Sequence, residues 1–318
     1  MVARDPFAKP AITCLDHTLM EPHSKIADAT LGALAAGLLS AIKRMDRMRT
    51  ANFAGAFMRK VGPLLPEHQV GRDNLRAAYP DKGAAEIELI LAGVWDNLGR
   101  IAVEFAHLDE FCLEGVGRQT ADAITYAPEI ADRYRRMVAS DKPMLGFAAH
   151  LANWELPAVV AKALVPHSAV LYRRPNIRPV SDIIVRLRAP LMGELIASGL
   201  DAPVKLARLL QSGVHVGMLV DQHMTKGVEV IFFGRRCRAN PLIAMIARQS
   251  ECPIHGLRVV RKPDGNSFWV EITDPIIAPR DADGRIDIGG TMQAITSVVE
   301  TWVREYPAQW LWLHRRWR

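Results

Sequence analysis

His150-Leu151-Ala152-Asn153-Trp154-Glu155 sets an imidazole and a carboxylate five residues apart, directly after the apolar run Met144-Leu145-Gly146-Phe147-Ala148-Ala149. On one continuous helix that spacing turns through about 140°, so the two side chains would point to different faces. A strand-turn-helix unit removes the objection. The His leaves the strand end, Asn153 caps a helix over Leu156 to Leu164, and the Glu points back across the turn. A His held by a carboxylate has its tautomer fixed and its cation stabilised, as a general base acting on a hydroxyl requires. The same residues also suit an ordinary helix start, with the His on backbone groups and the Glu favoured by the helix dipole. Spacing alone does not separate the two readings.

Two further clusters could join that site. Tyr172-Arg173-Arg174-Pro175-Asn176 follows an apolar run and precedes Arg178, Arg186 and Arg188. An arginine presents a planar, permanently charged donor fork to a phosphate or a developing oxyanion, although charge runs are commonly solvated helix faces. The run Gly217-Met218-Leu219-Val220 empties into Asp221-Gln222, where the Asp either orients an arginine or caps the next turn. The chain has no G-x-S-x-G elbow, Walker loop, G-x-G-x-x-G or H-E-x-x-H. Cys14, Cys112, Cys237 and Cys252 are scattered without metal-ligand spacing, so no metal site or disulfide framework is expected and the thiols suit a reducing compartment. Direct attack by a substrate hydroxyl activated by His150 is therefore the simplest chemistry.

These residues need a scaffold. The chain has 318 residues, 49% hydrophobic and 23% charged, enough to bury a large core. From Pro66 to Leu108 apolar residues recur at three- and four-residue spacing, with a break at Tyr79-Pro80. After Pro143 short apolar runs predict buried strands at 144–149, 168–172, 215–220, 228–233, 254–260 and 268–273, alternating with helices. The expected fold is α/β, a mostly parallel sheet flanked by helices, preceded by an N-terminal helical part that associates with a membrane. Residues 1–60 form that segment and 61–318 the catalytic domain. Ile26 to Ile42 carries one charge, Asp28, but is too short and too rich in Ala and Gly for a firm span. Lys43, Arg44, Arg47, Arg49, Arg59 and Lys60, interleaved with Met45, Met48, Phe53 and Phe57, suit an anionic membrane surface or a solvated basic face. The net charge of +6 favours an anionic partner, but no nucleic-acid-binding motif is present, so nucleic acid is not expected.

Taken together, the sequence resembles the bacterial lipid A late acyltransferases, the lauroyl/myristoyl family within the wider lysophospholipid acyltransferase group. His150 to Glu155 looks like that family's H-x4-D/E motif. Ordered matches follow at Asn74-Leu75 to Tyr79-Pro80, Tyr172 to Asn176, Asp221-Gln222 with Phe232-Phe233-Gly234, and Trp312-Leu313-His314-Arg315-Arg316-Trp317. The resemblance implies acyl transfer from an acyl carrier protein thioester to a hydroxyl of a lipid A precursor, in lipopolysaccharide biosynthesis at the cytoplasmic face of the inner membrane. It implies His150 as general base oriented by Glu155, no covalent enzyme intermediate and no cofactor beyond the acyl donor. Arg173 or Arg174, Asn153, Asp221 and Gln222 are the implied substrate-binding residues. The partners would be the carrier protein, an anionic glycolipid acceptor and the membrane surface. Relatives in the group acylate other glycolipids, such as phosphatidylinositol mannosides, or lysophospholipids. The family pattern has one Arg between the Tyr and the Pro where this chain has two.

Overall fold

The computed structural model describes residues 25–113, 124–126, 130, 132, 133, 142–165 and 167–317. Cys14, with the rest of the first 24 residues of the expected N-terminal segment, and Arg318 lie outside the described residues. The first part is helical, as its periodicity predicts: α1 (Lys25–Lys43), α2 (Arg47–Val61), α3 (Pro66–Ala78) and α4 (Ala84–Ala106). Local signals set their ends. The Asp46 carboxylate accepts from the Arg49 amide at 2.8 Å, Pro66 opens α3, and α3 stops at Tyr79 because Pro80 disfavours helical backbone before it. The periodic stripe Ile87, Leu91, Val94 and Ile101 is buried. Gly99 lets α2 lie directly on α4, since a Cβ there would fall 2.4 Å from the Ala54 carbonyl oxygen.

Among the described residues nine strands follow or interrupt the helices: β1 (Ile124–Tyr126), β2 (Leu145–Ala148), β3 (Ser168–Tyr172), β4 (Glu194–Ala197), β5 (His215–Leu219), β6 (His223–Phe232), β7 (Arg235–Ala239), β8 (Ile254–Arg261) and β9 (Phe268–Ile272). Seven make one sheet in the order β1-β9-β8-β2-β5-β3-β4, with every pair parallel except β8 and β9. Five helices accompany it: α5 (Leu156–Leu164), α6 (Arg178–Arg188), α7 (Ala202–Gln211), α8 (Leu242–Ser250) and α9 (Ile288–Glu305). This is the expected α/β fold with a mostly parallel sheet.

β1, β4 and β7 lie outside the expected strands, and one expected strand differs in kind. The segment 228–233 is not a buried strand of the sheet. It belongs to β6, which pairs antiparallel with β7 in a separate hairpin and alternates exposed with buried residues near its end. A run of apolar side chains does not distinguish full burial from one buried face plus one wet face. The region before residue 140 is also not purely helical, because β1 adds a parallel edge strand beside β9. Among the described residues no helix is long and apolar enough to cross a membrane.

The sheet faces divide the core. Leu145 and Phe147 of β2, with Val216 and Met218 of β5, pack into one apolar cluster. Val159, Val160 and Leu164 of α5 join Val259 and Val270 in another. Between these clusters the alternate residues Gly146 and Gly217 leave a strip of sheet without side chains.

Candidate active site

Strand register brings the reacting groups together. Phe147 pairs with Met218 and Ala148 with Leu219, so the second residue beyond β2, His150, stands level with the second beyond β5, Asp221. Both lie at the carboxyl edge of the sheet, where α/β folds bind ligands. His150 Nδ1 is 2.8 Å from Asp221 Oδ1, and the His150 amide donates to Oδ2 at 2.8 Å. The Trp310 indole also donates to Oδ2, at 2.7 Å. Burial pulls the Asp221 carboxyl toward its neutral form. The charge and hydrogen bonds of His150, with help from His314, outweigh that effect and hold its pKa well below the usual carboxylate range. An ionised Asp221 requires a proton on His150 Nδ1, which leaves Nε2 with its lone pair available. The Gln222 amide nitrogen lies 3.3 Å from that Nε2.

The expected pairing of His150 with Glu155 is therefore corrected: the carboxylate behind the His is Asp221. Glu155 instead takes Arg188 in a two-point ion pair, Nε to Oε2 at 2.8 Å and Nη2 to Oε1 at 2.5 Å. The reason is the strand-end turn. It carries Glu155 away toward α6, whose last residue is Arg188, while parallel pairing delivers Asp221 to the imidazole.

The turn itself is strained and braced. Ala152 is fully buried with φ 46°, a left-handed conformation that costs a non-glycine residue about 1 kcal/mol. Its amide donates to the Gln309 carbonyl at 2.9 Å and its carbonyl accepts from Asn97 at 3.1 Å. Asn153 is expected to cap α5 and to bind substrate. The helix instead starts from Glu155 without a side-chain cap; Asn153 Oδ1 accepts from the Glu155 amide at 3.1 Å ahead of it, the residue is fully buried, and its amide group donates to Glu104 at 2.9 Å. Glu104 in turn is clasped by both terminal guanidinium nitrogens of Arg261. Neither Asn153 nor Asp221 lines the cavity beside His150.

A cavity of about 1030 Å³ opens beside His150 and Glu155, with Gly146 and Gly217 of the sheet in its lining. Arg173, Arg174, Asn176, Arg188 and Gln222 line it. Arg173 and Arg174 are exposed. Deeper walls come from Ala158, Ala161 and Leu164 of α5, with Val170, Leu195 and Leu257 from strands. Such a space, mostly apolar near the imidazole and charged at its mouth, suits a hydrocarbon whose reactive end lies at the His. Among the described residues no group of three or more His, Cys, Asp or Glu could hold a metal ion.

The sequence reading missed the C-terminal contribution. Leu311 donates its amide to the His150 carbonyl at 3.0 Å, Leu151 bridges antiparallel to Trp310, and the Trp310 indole grips Asp221. The Trp- and Arg-rich ending entered only as a family match, with no role beside His150. Arg188 was noted within a charge cluster but not singled out.

The sequence profile of the family described as bacterial lipid A biosynthesis acyltransferase matches residues 20–318. No curated protein matches the chain.

Proposed function

The chain belongs to the bacterial lipid A biosynthesis acyltransferase family and is an acyltransferase, and from that premise we propose that it moves a fatty acyl chain from an acyl carrier protein thioester to a hydroxyl of a lipid A precursor. His150 Nε2 takes the proton of the acceptor hydroxyl as its oxygen attacks the thioester carbonyl. The tetrahedral intermediate collapses, the C–S bond breaks, and the imidazolium returns the proton to the departing thiolate. Asp221 holds the imidazole in the basic tautomer and stabilises its cation. Arg188, fixed by Glu155, places positive charge beside the developing oxyanion, and Arg173 with Arg174 faces the phosphates of donor or acceptor. No covalent enzyme intermediate or cofactor is required.

The observation that carries this reading is the His150–Asp221 pair at one end of a long, mostly apolar cavity. The proposed site of action is the cytoplasmic face of the inner membrane, with the acidic carrier protein drawn to the net charge of +6. Exposed Leu34, Leu38, Phe53 and Phe57 on α1 and α2 support peripheral attachment to that surface.

The test is transfer in detergent micelles from loaded acyl carrier protein to a tetra-acylated lipid A precursor. His150→Ala and Asp221→Asn should each lower kcat by about 10²- to 10⁴-fold, His150→Ala with the fold kept and Asp221→Asn with a lowered melting temperature, since it removes a buried acceptor of three hydrogen bonds. Near-full activity of His150→Ala would overturn the mechanism. Thioester consumption without acylated lipid A would move the acceptor to another glycolipid or a lysophospholipid, with phosphatidylinositol mannosides tried first.

A further inference from the structure

We propose that Gly146 and Gly217 set the length of the acyl chain this enzyme accepts, by keeping the middle of one cross-strand row of the cavity floor free of side chains. The inference rests on the reading of the cavity as the acyl site and goes beyond it by naming the residues that measure the chain.

Gly146 and Gly217 are direct partners in the parallel β2–β5 pair. Val170 of β3 pairs with Gly217 and His255 of β8 with Gly146, so four strands contribute to this row and only the two central positions are bare. All four residues line the cavity. A Cβ on Gly146 would meet nothing nearer than 3.8 Å, and one on Gly217 nothing nearer than 4.0 Å. Neither glycine has positive φ, so backbone conformation does not demand it. Gly99 is different, because there a Cβ would strike backbone. What the two strand glycines provide is empty space on the cavity side, at some entropic cost to the strands.

Strand geometry turns that row into a length. From His150 back to Met144 is six residues, and strand rise makes this roughly 20 Å. An extended hydrocarbon advances about 1.25 Å per bond from its bond length and angle, so the full cavity takes about 14 to 16 carbons. Beyond the glycine row the floor becomes polar. Ser168 pairs with His215, and the buried Ser168 hydroxyl has no hydrogen-bond partner, while His215 Nδ1 accepts from the Met144 amide at 3.2 Å. A methyl terminus gains nothing by passing that row. The glycine row lies four residues from His150, roughly 13 Å, which corresponds to about 10 carbons.

Gly146→Val and Gly217→Val are therefore expected to shift the preferred donor from about 14–16 carbons to about 8–10, with a tenfold or greater loss of kcat/KM for the long chains and little loss for the short ones. The measurement is transfer from carrier protein loaded with chains of graded length, alongside melting curves and direct binding of free fatty acids of the same lengths. Gly217→Ala, the smallest step, should shorten the optimum slightly and guards against a misfolded valine variant. Unchanged length preference in folded variants overturns the ruler, as does equal loss at every length. Fatty acid binding separates this from the reaction itself: if the parent protein transfers no chain, yet binds long fatty acids that the valine variants reject, the ruler stands and the acyl-transfer reading fails. If binding shows no length dependence, the ruler fails.

Discussion

An imidazole is a useful base only if one tautomer and one orientation dominate. At His150 both are set by Asp221, and Asp221 is itself set by two other donors, the His150 amide and the Trp310 indole. Trp310→Phe keeps the ring in its aromatic cluster but removes one hydrogen bond to a buried carboxylate, worth about 1.5–3 kcal/mol. Asp221 then becomes more basic and holds the imidazolium more tightly. We expect kcat to fall tenfold or more at constant KM, with the acid limb of the pH–rate profile moved upward. A profile identical to the parent's would assign Trp310 to packing alone. A second prediction concerns His314, whose burial, reinforced by His150 and opposed by Asp221, lowers its pKa from 6.5 to about 4. Because the folded value is depressed, its neutral form contributes full stability above about pH 6.5, and that contribution is lost as the pH falls toward 4. Melting temperature should decline through that window, and His314→Gln should flatten the decline. The same slope in both proteins would place the pH sensitivity elsewhere.

At the scale of elements, the decisive unit is the β2-turn-α5 segment. A left-handed alanine is tolerated there because α4, β8 and the C-terminal strap hold the turn from three sides. The brace is a buried ion pair, Glu104 with Arg261, to which Asn153 is attached. Glu104→Gln leaves the guanidinium uncompensated at 0% and 6% side-chain exposure for the two partners, a change that typically costs about 3–5 kcal/mol. Thermal melts should show a drop of several degrees, and the activity lost should return when the assay is run cold. An unchanged melting temperature would show that water replaces the lost contact. The strand and the helix of this unit were legible from an apolar run and a helical period. The brace was not, because Glu104 and Arg261 are 157 residues apart and each alone reads as a surface charge.

For the whole molecule, one group of exposed apolar residues lies on the first two helices. Leu31, Leu34 and Leu38 on α1, and Met48, Phe53 and Phe57 on α2, are all exposed. α1 packs against α6, where Pro179 abuts Gly32, and α6 follows directly on the cavity residues Arg173 to Asn176. A bilayer touching α1 would therefore lie near the charged mouth of the cavity, convenient for a lipid acceptor. The full chain should sediment with vesicles containing anionic lipid, less so with neutral ones, and Phe53→Ser with Phe57→Ser should weaken that binding severalfold without changing the melting temperature. Equal binding by the double variant would move the contact elsewhere on the surface.

Most of the elements, and the place of His150 at a strand end, were legible in the residues alone. Period-two and period-3.6 patterns reflect how a chain segment must present apolar side chains to any core, so β2, β5, α4 and the His150 turn could be read locally. A single row of symbols also sufficed to identify the family, since its motifs are local. What only the tertiary structure decided was partnership: Asp221 and not Glu155 behind the imidazole, Arg188 on Glu155, Asn153 in the interior, and Trp310 on Asp221. Those outcomes depend on strand register and on contacts between distant parts of the chain, which residue spacing does not encode.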